Sequence, residues 1–524
     1  MDNTIQTPKT VFGKNIIEML MFNMYDECKV IYREYIQNSF DAIQEAVARN
    51  LLPNVNNGIV NVEVDSKHRT VTIRDNGTGI SFDKAPSALL NIAASEKDGY
   101  VQAGQYGVGR LVGAGFCSRL VFRTKASGEK EGTEVIINSD LARSIIRDKN
   151  NRSDAVTVMS EISEVRRITD SDEHFFEVIL ENIKEGYDEL LSVDEIISYL
   201  SAVAPIDYSM PFKNLLISKN EEFKKLYSRM KYVNVSVNNK PIKKKYGTTV
   251  IGTGDEILGI EVFHLIDEDG GELAWGWYAI TPFTKQIPEL YNDELEPNRG
   301  IRLRKNNIQI GDEKLLDKWF QESRGNHYFY GEVHIVSSAI VPDSTRQGLA
   351  STHEAIQFHE LLKNKFKELH QIYTRANELK GAVRDLNVGI FKVNSDNEDI
   401  DKIQAKGEVE KALAKIESTS NKVIDIAPSV TPLVEYYQGK AKEVQENGGV
   451  PVEKKKKDKP TVKIVASDEL SVLSDKYSAE SIKVIRKIFV LLRRKWESDN
   501  KATLEKLIAD IIKALKFRFC STSL

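Results

Sequence analysis

The sequence predicts an α+β protein: an α/β sandwich, then a second α/β domain, then a helical C-terminal region. Three observations predict it. Over residues 1–140 helix-like and strand-like patterns alternate. Over 155–350 strands and helices mix again, and from 352 apolar residues recur at heptad spacing with no strand pattern. The chain has 524 residues, enough for roughly three domains at ~150 residues each.

Residues 27–49 read as one long helix whose apolar positions are Val30, Ile31, Tyr35, Phe40, Ala42, Ile43 and Val47. Pro53 and Asn56-Asn57-Gly58 end it. A hairpin follows, with Val60, Val62 and Val64 alternating, SKHR turning, and Val71 and Ile73 alternating back. Leu120–Thr124 and Thr133–Ile137 read as two more strands, completing a domain over 1–150. In the domain expected over 151–350, VTVMSEIS, FFEVILENI, VNVSVNN and YGEVHIVSSAIV are strand-like, and VDEIISYLSAVAP is a helix ended by Pro205. Ala355, Leu362, Leu369, Ala376 and Val383 repeat every seven residues, with Phe358, Ile372 and Leu379 three later and Lys365 as the exception. This predicts a long helix with a packing seam over 351–439, internal or dimeric. The polar stretch 440–467, with Gly448-Gly449, Pro451 and Lys454–Lys457, reads as a flexible linker. Beyond it, two amphipathic stripes (Ile482 to Trp496, Leu504 to Leu515) predict a small helical domain over 468–524.

Composition excludes several classes. Lysine and arginine number 73 against 77 aspartates and glutamates, so no globally basic nucleic-acid binder is expected. Three dispersed cysteines (Cys28, Cys117, Cys520) exclude a disulfide scaffold and any CxxC zinc site, and fit a reducing compartment. No apolar run reaches the ~20 residues of a membrane span, and MDNTIQTPKT lacks the signal-peptide pattern. A cytoplasmic protein without membrane contact is expected. His353-Glu354 with His359 is not a zincin motif, because position 357 is Gln357.

Three segments carry candidate chemistry. In Arg33-Glu34-Tyr35-Ile36-Gln37-Asn38-Ser39-Phe40-Asp41-Ala42, helical spacing places Glu34, Asn38 and Asp41 on one face. That face could present a base and a metal-ligand oxygen together; alone, such a charged stripe more often just faces water. In Arg74-Asp75-Asn76-Gly77-Thr78-Gly79 a strand ends on an aspartate, and the glycines admit close backbone approach, although DNG is also a turn signal. In Gly104-Gln105-Tyr106-Gly107-Val108-Gly109 three glycines precede an apolar run that would open a helix, where backbone N–H groups make an anion cradle. The spacing is neither the Walker nor the dinucleotide pattern.

ExxxNxxDA, DxGxG after a strand, GxxGxG, and Gly132-Thr133 opening a strand occur in that order within about one hundred residues. The set resembles the GHKL ATPases (gyrase, heat-shock protein 90 chaperones, histidine kinases, MutL), with wording nearest the heat-shock protein 90 chaperones, matched at 33–42 and by GQYGVG. The layout of YGEVHIVSSAIVPDSTRQGL is similar to the end of their middle domain, although Gln347 stands where they have glutamate, and GIRLRKNNIQIGD resembles a middle-domain strand pair. The 24 residues between Gly79 and Gly104, with Ser95-Glu96-Lys97, are shorter than a chaperone lid and closer to MutL or MORC proteins.

The resemblance implies a GHKL (Bergerat) sandwich over 1–150 and a transducer-like middle domain over 151–350. It implies ATP and Mg²⁺ as cofactors. Glu34 would activate the attacking water, Asn38 would hold Mg²⁺, and Asp75 would read the adenine amine, helped by Gly79 and Thr133. Gly104, Gly107 and Gly109 would wrap the phosphates, with Gln105, Tyr106, Val108, Lys97, Asn91, Asp41 and Gly77 completing the nucleotide site. Arg346 would reach the γ-phosphate; Lys285, the MutL-like candidate, competes for that role. The implied function is a dimeric ATP-driven clamp acting on a protein partner. The alternatives are a MutL- or MORC-like DNA-associated ATPase in genome maintenance or phage defence, and a slow nucleotide-gated interaction module.

Overall fold

In the hairpin of β1 (Ile59–Asp65) and β2 (Thr70–Asp75), valines and isoleucine alternate inward as the sequence predicts. This is a computed structural model, describing residues 12–23, 25, 27–91, 109–170, 172–250, 254–284, 299–395 and 399–450. The hairpin lies in an eight-stranded sheet with β3 (Cys117–Lys125), β4 (Gly132–Asn138), β5 (Ser163–Ile168), β6 (Phe175–Ile183), β7 (Asn234–Val237) and β8 (Lys240–Pro241). The strand order is β5-β4-β3-β6-β2-β1-β7-β8, with only β1 and β7 parallel. Helix α2 (Val30–Ala48) packs Ile31, Tyr35, Phe40 and Ile43 into the same core as Val60, Val62, Ile73, Leu120, Phe122 and Leu180.

The boundary expected at residue 150 falls inside this body. Strand β6 inserts between β2 and β3, and α6 (Val193–Val203) and β7 share its core. The expected strand VTVMSEIS is instead a helix, α5 (Ala155–Ile162). Asp154 caps it by accepting from the Thr157 N–H at 2.8 Å, and Ala155, Val158, Met159 and Ile162 are buried at helical spacing. The β-branched residues misled the reading; the i, i+3, i+4, i+7 stripe decided the outcome.

A second sheet has the order β12-β11-β13-β10-β9, from β9 (Gly259–Ile266), β10 (Glu272–Ile280), β11 (Gly300–Lys305), β12 (Ile308–Ile310) and β13 (Tyr330–Ile335). The predicted pair at 300–312 is the β11–β12 hairpin. Asn306 and Asn307 both take positive φ (54° and 61°), the geometry a two-residue hairpin turn requires. The heptad segment is helix α9 (His353–Asn394), capped by Thr352. Its seam is covered by the second sheet and by helices α10 (Asp399–Ile426) and α11 (Thr431–Glu446), so it packs within the chain. Lys365, the heptad exception, pairs with Glu261 of β9 at 2.7 Å. The linker expected from 440 begins inside α11, and the helices expected beyond 467 lie outside the described residues.

The two sheets meet at a buried charge cluster. Glu332, on β13, has no exposed surface. It accepts from Arg304 Nε at 2.7 Å, Lys244 Nζ at 2.9 Å and the Tyr246 hydroxyl at 3.1 Å, and contacts Tyr208 and His334. Burial pushes its carboxyl up, but Arg304 and Lys244 outweigh that and hold it well below the usual carboxylate range. Arg304 also donates to the Ala202 carbonyl of α6 at 2.6 Å, and Lys244 follows β8. Residues of the first body and of the second sheet thus share one carboxylate. Glu332→Gln leaves two buried cations uncompensated and is expected to cost about 3–5 kcal/mol of unfolding free energy, measured by chemical denaturation.

Candidate functional site

Helix α2 buries a polar face. Arg33, Glu34, Gln37, Ser39 and Asp41 are all buried and Asn38 is half-buried, so the stripe is not a solvated one. Its cover comes from two directions. A Cβ on Gly109 would stand 2.6 Å from Glu34 Oε2, so the last glycine of the glycine-rich segment lies directly against the carboxylate. From the second sheet, the loop after β13 brings Thr345 and Arg346. Arg33 Nη2 donates to the Thr345 carbonyl at 2.9 Å and contacts Glu34 Oε1 at 3.4 Å. Arg346 is buried; burial, then the Arg33 charge, lower its proton affinity to about 10, while Glu34 and Asp41 oppose them. It therefore stays a cation beside two carboxylates. Burial, and then the Glu34 charge, push the Tyr25 hydroxyl up, which places Tyr25 in the same cluster.

The Arg346 loop is fixed by its own hydrogen bonds. Asp343 Oδ1 accepts from the Thr345 and Gln347 N–H groups at 3.0 and 3.2 Å, and the Asp343 N–H donates to Gly348. Arg346 itself has φ of 56°, left-handed for a residue with a side chain. Its carbonyl accepts from the Gly311 N–H at 2.8 Å.

Asp75 ends β2 and is buried, with its carboxyl pushed up to about 6 by burial; the Ser39 hydroxyl and the Gly77 N–H, at 2.8 Å from Oδ1, oppose the rise. Gly77 has no room for a side chain, since a Cβ would meet Ala42 Cβ at 2.7 Å. Gly79 has φ of 62° and a Cβ there would reach 2.0 Å from the Lys125 carbonyl, so both conformation and space require glycine. The Thr78 N–H ties this loop to the Ala42 carbonyl of α2.

Asp75 and Thr133 stand on different strands of the first sheet. Asp75 faces Phe176 of β6, Phe176 faces Thr124 of β3, and Thr124 faces Thr133 of β4. Three inter-strand steps at ~4.8 Å place Thr133 about 14 Å away. Its hydroxyl lies 3.4 Å from the Phe82 carbonyl. β6 and β3 stand between β2, which carries Asp75, and β4, which carries Thr133. Asn91 is exposed after α3 (Ala85–Leu90), its carbonyl accepting from Arg110. Gly109 opens a 3-10 helix rather than an α-helix. Lys97, Gly104, Gln105, Tyr106, Gly107, Val108 and Lys285 lie outside the described residues. Sequence reasoning missed Ser39, Tyr25, Arg33 and Phe176. Ser39 and Arg33 stand inside the first motif and could have been found there, whereas Phe176 needed the strand order.

Residues 27–170 match the family described as histidine kinase-, DNA gyrase B- and HSP90-like ATPase. The N-terminal domain belongs to the GHKL superfamily. The GHKL domain is similar to Chaperone protein HtpG of Streptomyces coelicolor, 29% identical over 144 residues (24% of this chain, 22% of that protein). It is also similar to HtpG of Halalkalibacterium halodurans, 30% identical over 135 residues (23% and 22%). The chain thus matches about a fifth of the length of these relatives. Among the described residues no helix is long and apolar enough to cross a membrane, and no group of three or more His, Cys, Asp or Glu residues could hold a metal.

The residues of the GHKL domain fit a nucleotide: a buried carboxylate beside two glycines that exclude side chains, and a glycine pressed on Glu34. Because the Asp75 carboxyl is raised from 3.8 to about 6, its contribution to stability is full below pH 3.8 and lost as pH rises through 6. Asp75→Asn removes this titration. Between pH 4 and 7 the difference in unfolding free energy is expected to move by about 2–3 kcal/mol in the variant's favour, measured by denaturation at both pH values.

Proposed function

We propose that the protein hydrolyses ATP with Mg²⁺ and couples turnover to remodelling of a protein partner, as a dimeric, HSP90-like clamp in the cytoplasm. The family match and the likeness to HtpG support an ATP-dependent, chaperone-like function. The observation that carries the finer reading is the meeting of Arg346 with the Glu34 face of α2, because it joins a base in one body to a cation from another.

In this reading Asp75, ionised, accepts from the adenine amine, and Gly77 and Gly79 let the base approach. Thr133, whose hydroxyl meets the loop that follows Asp75 at the Phe82 carbonyl, assists from β4. By the resemblance, Gly104, Gln105, Tyr106, Gly107, Val108 and Gly109 would wrap the phosphates. Lys97, Asn91 and Asp41 would complete the nucleotide site. Mg²⁺, held through Asn38, would neutralise phosphate charge. Glu34 takes the proton of the attacking water, in a setting where burial keeps competing water away. Arg346 presents a fixed cation to the developing phosphoryl charge, and such charge stabilisation in a dry site is the larger part of phosphoryl-transfer catalysis.

Glu34→Gln is expected to keep ATP binding while lowering turnover by about 10²–10⁴-fold. Arg346→Ala should leave ATP affinity nearly unchanged and lower turnover about tenfold or more. Steady-state ATPase assays beside calorimetric titration check both, and parental turnover in either variant removes that residue's role.

The client class is tested separately. Unfolded protein is expected to stimulate the ATPase and duplex DNA is not. Stimulation by DNA alone would favour the DNA-associated reading.

A further inference from the structure

We propose that Lys305 is a positioning residue that holds Arg346 against the Glu34 face; this rests on the ATPase reading above. Lys305 is the last residue of β11, and its side chain is buried. Its ammonium donates to the carbonyls of Ser337 (3.2 Å), Ser338 (3.4 Å) and Ile340. Those carbonyls lie just past the end of β13, where the ladder stops, and they lead directly into the loop carrying Arg346. An ammonium has three donors and no acceptor, so one buried side chain can satisfy all three carbonyls at once.

The same residue grips the loop from its other end. The Lys305 carbonyl accepts from Arg346 Nη2 at 3.4 Å. Side chain and main chain of Lys305 therefore hold the segment before the loop and the guanidinium within it. Burial and then the Arg346 charge lower the Lys305 proton affinity to about 8, which records that the two cations sit in one field. Their repulsion disfavours retreat of the guanidinium toward the second sheet, and Glu34 and Asp41 attract it from the opposite side. A buried lysine serving only to tie off strand ends would affect stability without acting through Arg346.

The test is a double-mutant cycle on the full chain, reading ATP affinity, turnover and thermal melting for Lys305→Met, Arg346→Ala and the double variant. Lys305→Met keeps the length of the side chain and removes its donors. It is expected to lower turnover about tenfold or more, since small misplacements of a charged group cost that much, with ATP affinity within about twofold of the parent. The double variant should turn over within about twofold of Arg346→Ala, because a positioning residue has nothing left to position. Losses that multiply, or parental turnover in Lys305→Met while Arg346→Ala is impaired, would overturn the proposal and leave the ATPase reading standing. Parental turnover in Arg346→Ala would overturn both. If Lys305→Met loses its melting transition, Lys305→Gln, which retains a shorter donor, is read against the same two outcomes.

Discussion

The relation between the two sheets rests on one carboxylate. Glu332 is buried with Arg304 and Lys244, and each cation reaches it from a different part of the chain. A buried charge without partners is prohibitively costly, so the sheets cannot separate without exposing all three groups together. Adjacent residues on a strand point to opposite faces. Arg304 therefore turns toward the first body and the Glu332 cluster, while Lys305, its neighbour, turns to the carbonyls beyond β13. β13 likewise carries Glu332 near its start and feeds the Arg346 loop beyond its end. The joint between sheets and the delivery of the cation are built on the same two strands.

This joint accounts for the burial of the α2 face. Arg33, Glu34, Gln37, Ser39 and Asp41 would face water on an isolated helix, where their hydration would be free. Within the chain they are covered, and the cover supplies partners: the Thr345 carbonyl for Arg33, Arg346 for Glu34 and Asp41, the Asp75 carboxyl for Ser39. The low dielectric of such a setting strengthens each charge contact and penalises any that is incomplete. The candidate site is thus a composite, half from the GHKL domain and half from the second sheet.

Local features were legible in the sequence. The α2 helix, the β1–β2 hairpin, the β11–β12 hairpin and helix α9 all carry their period or turn residues in short windows, and the order of the glycine and acidic motifs pointed to the nucleotide site. What required the structure is non-local. Nothing near residue 175 says that β6 enters the sheet between β2 and β3, and that one insertion moves the domain boundary. Lys244, Arg304 and Glu332 are scattered over almost ninety residues, with no local pattern that joins them. Lys365 broke the heptad for a reason visible only once Glu261 lay opposite.

The positive φ of Arg346 bears on how the composite site works. A side chain in that region costs on the order of 1–3 kcal/mol and persists only where the surroundings over-determine it. Here Asp343 binds two N–H groups of the loop, Gly348 closes it, and the Gly311 N–H holds the Arg346 carbonyl. The backbone strain is therefore offset before any phosphate charge has to be met, which is the meaning of preorganisation. With the loop internally fixed, the position of Arg346 relative to Glu34 depends on contacts outside the loop: the Lys305 carbonyl on the guanidinium, the Glu332 joint, which sets one sheet against the other, and the Arg33 bond to Thr345, which seats the loop on α2. A change that loosens any of these contacts displaces the cation as a rigid unit, without reshaping the loop that bears it.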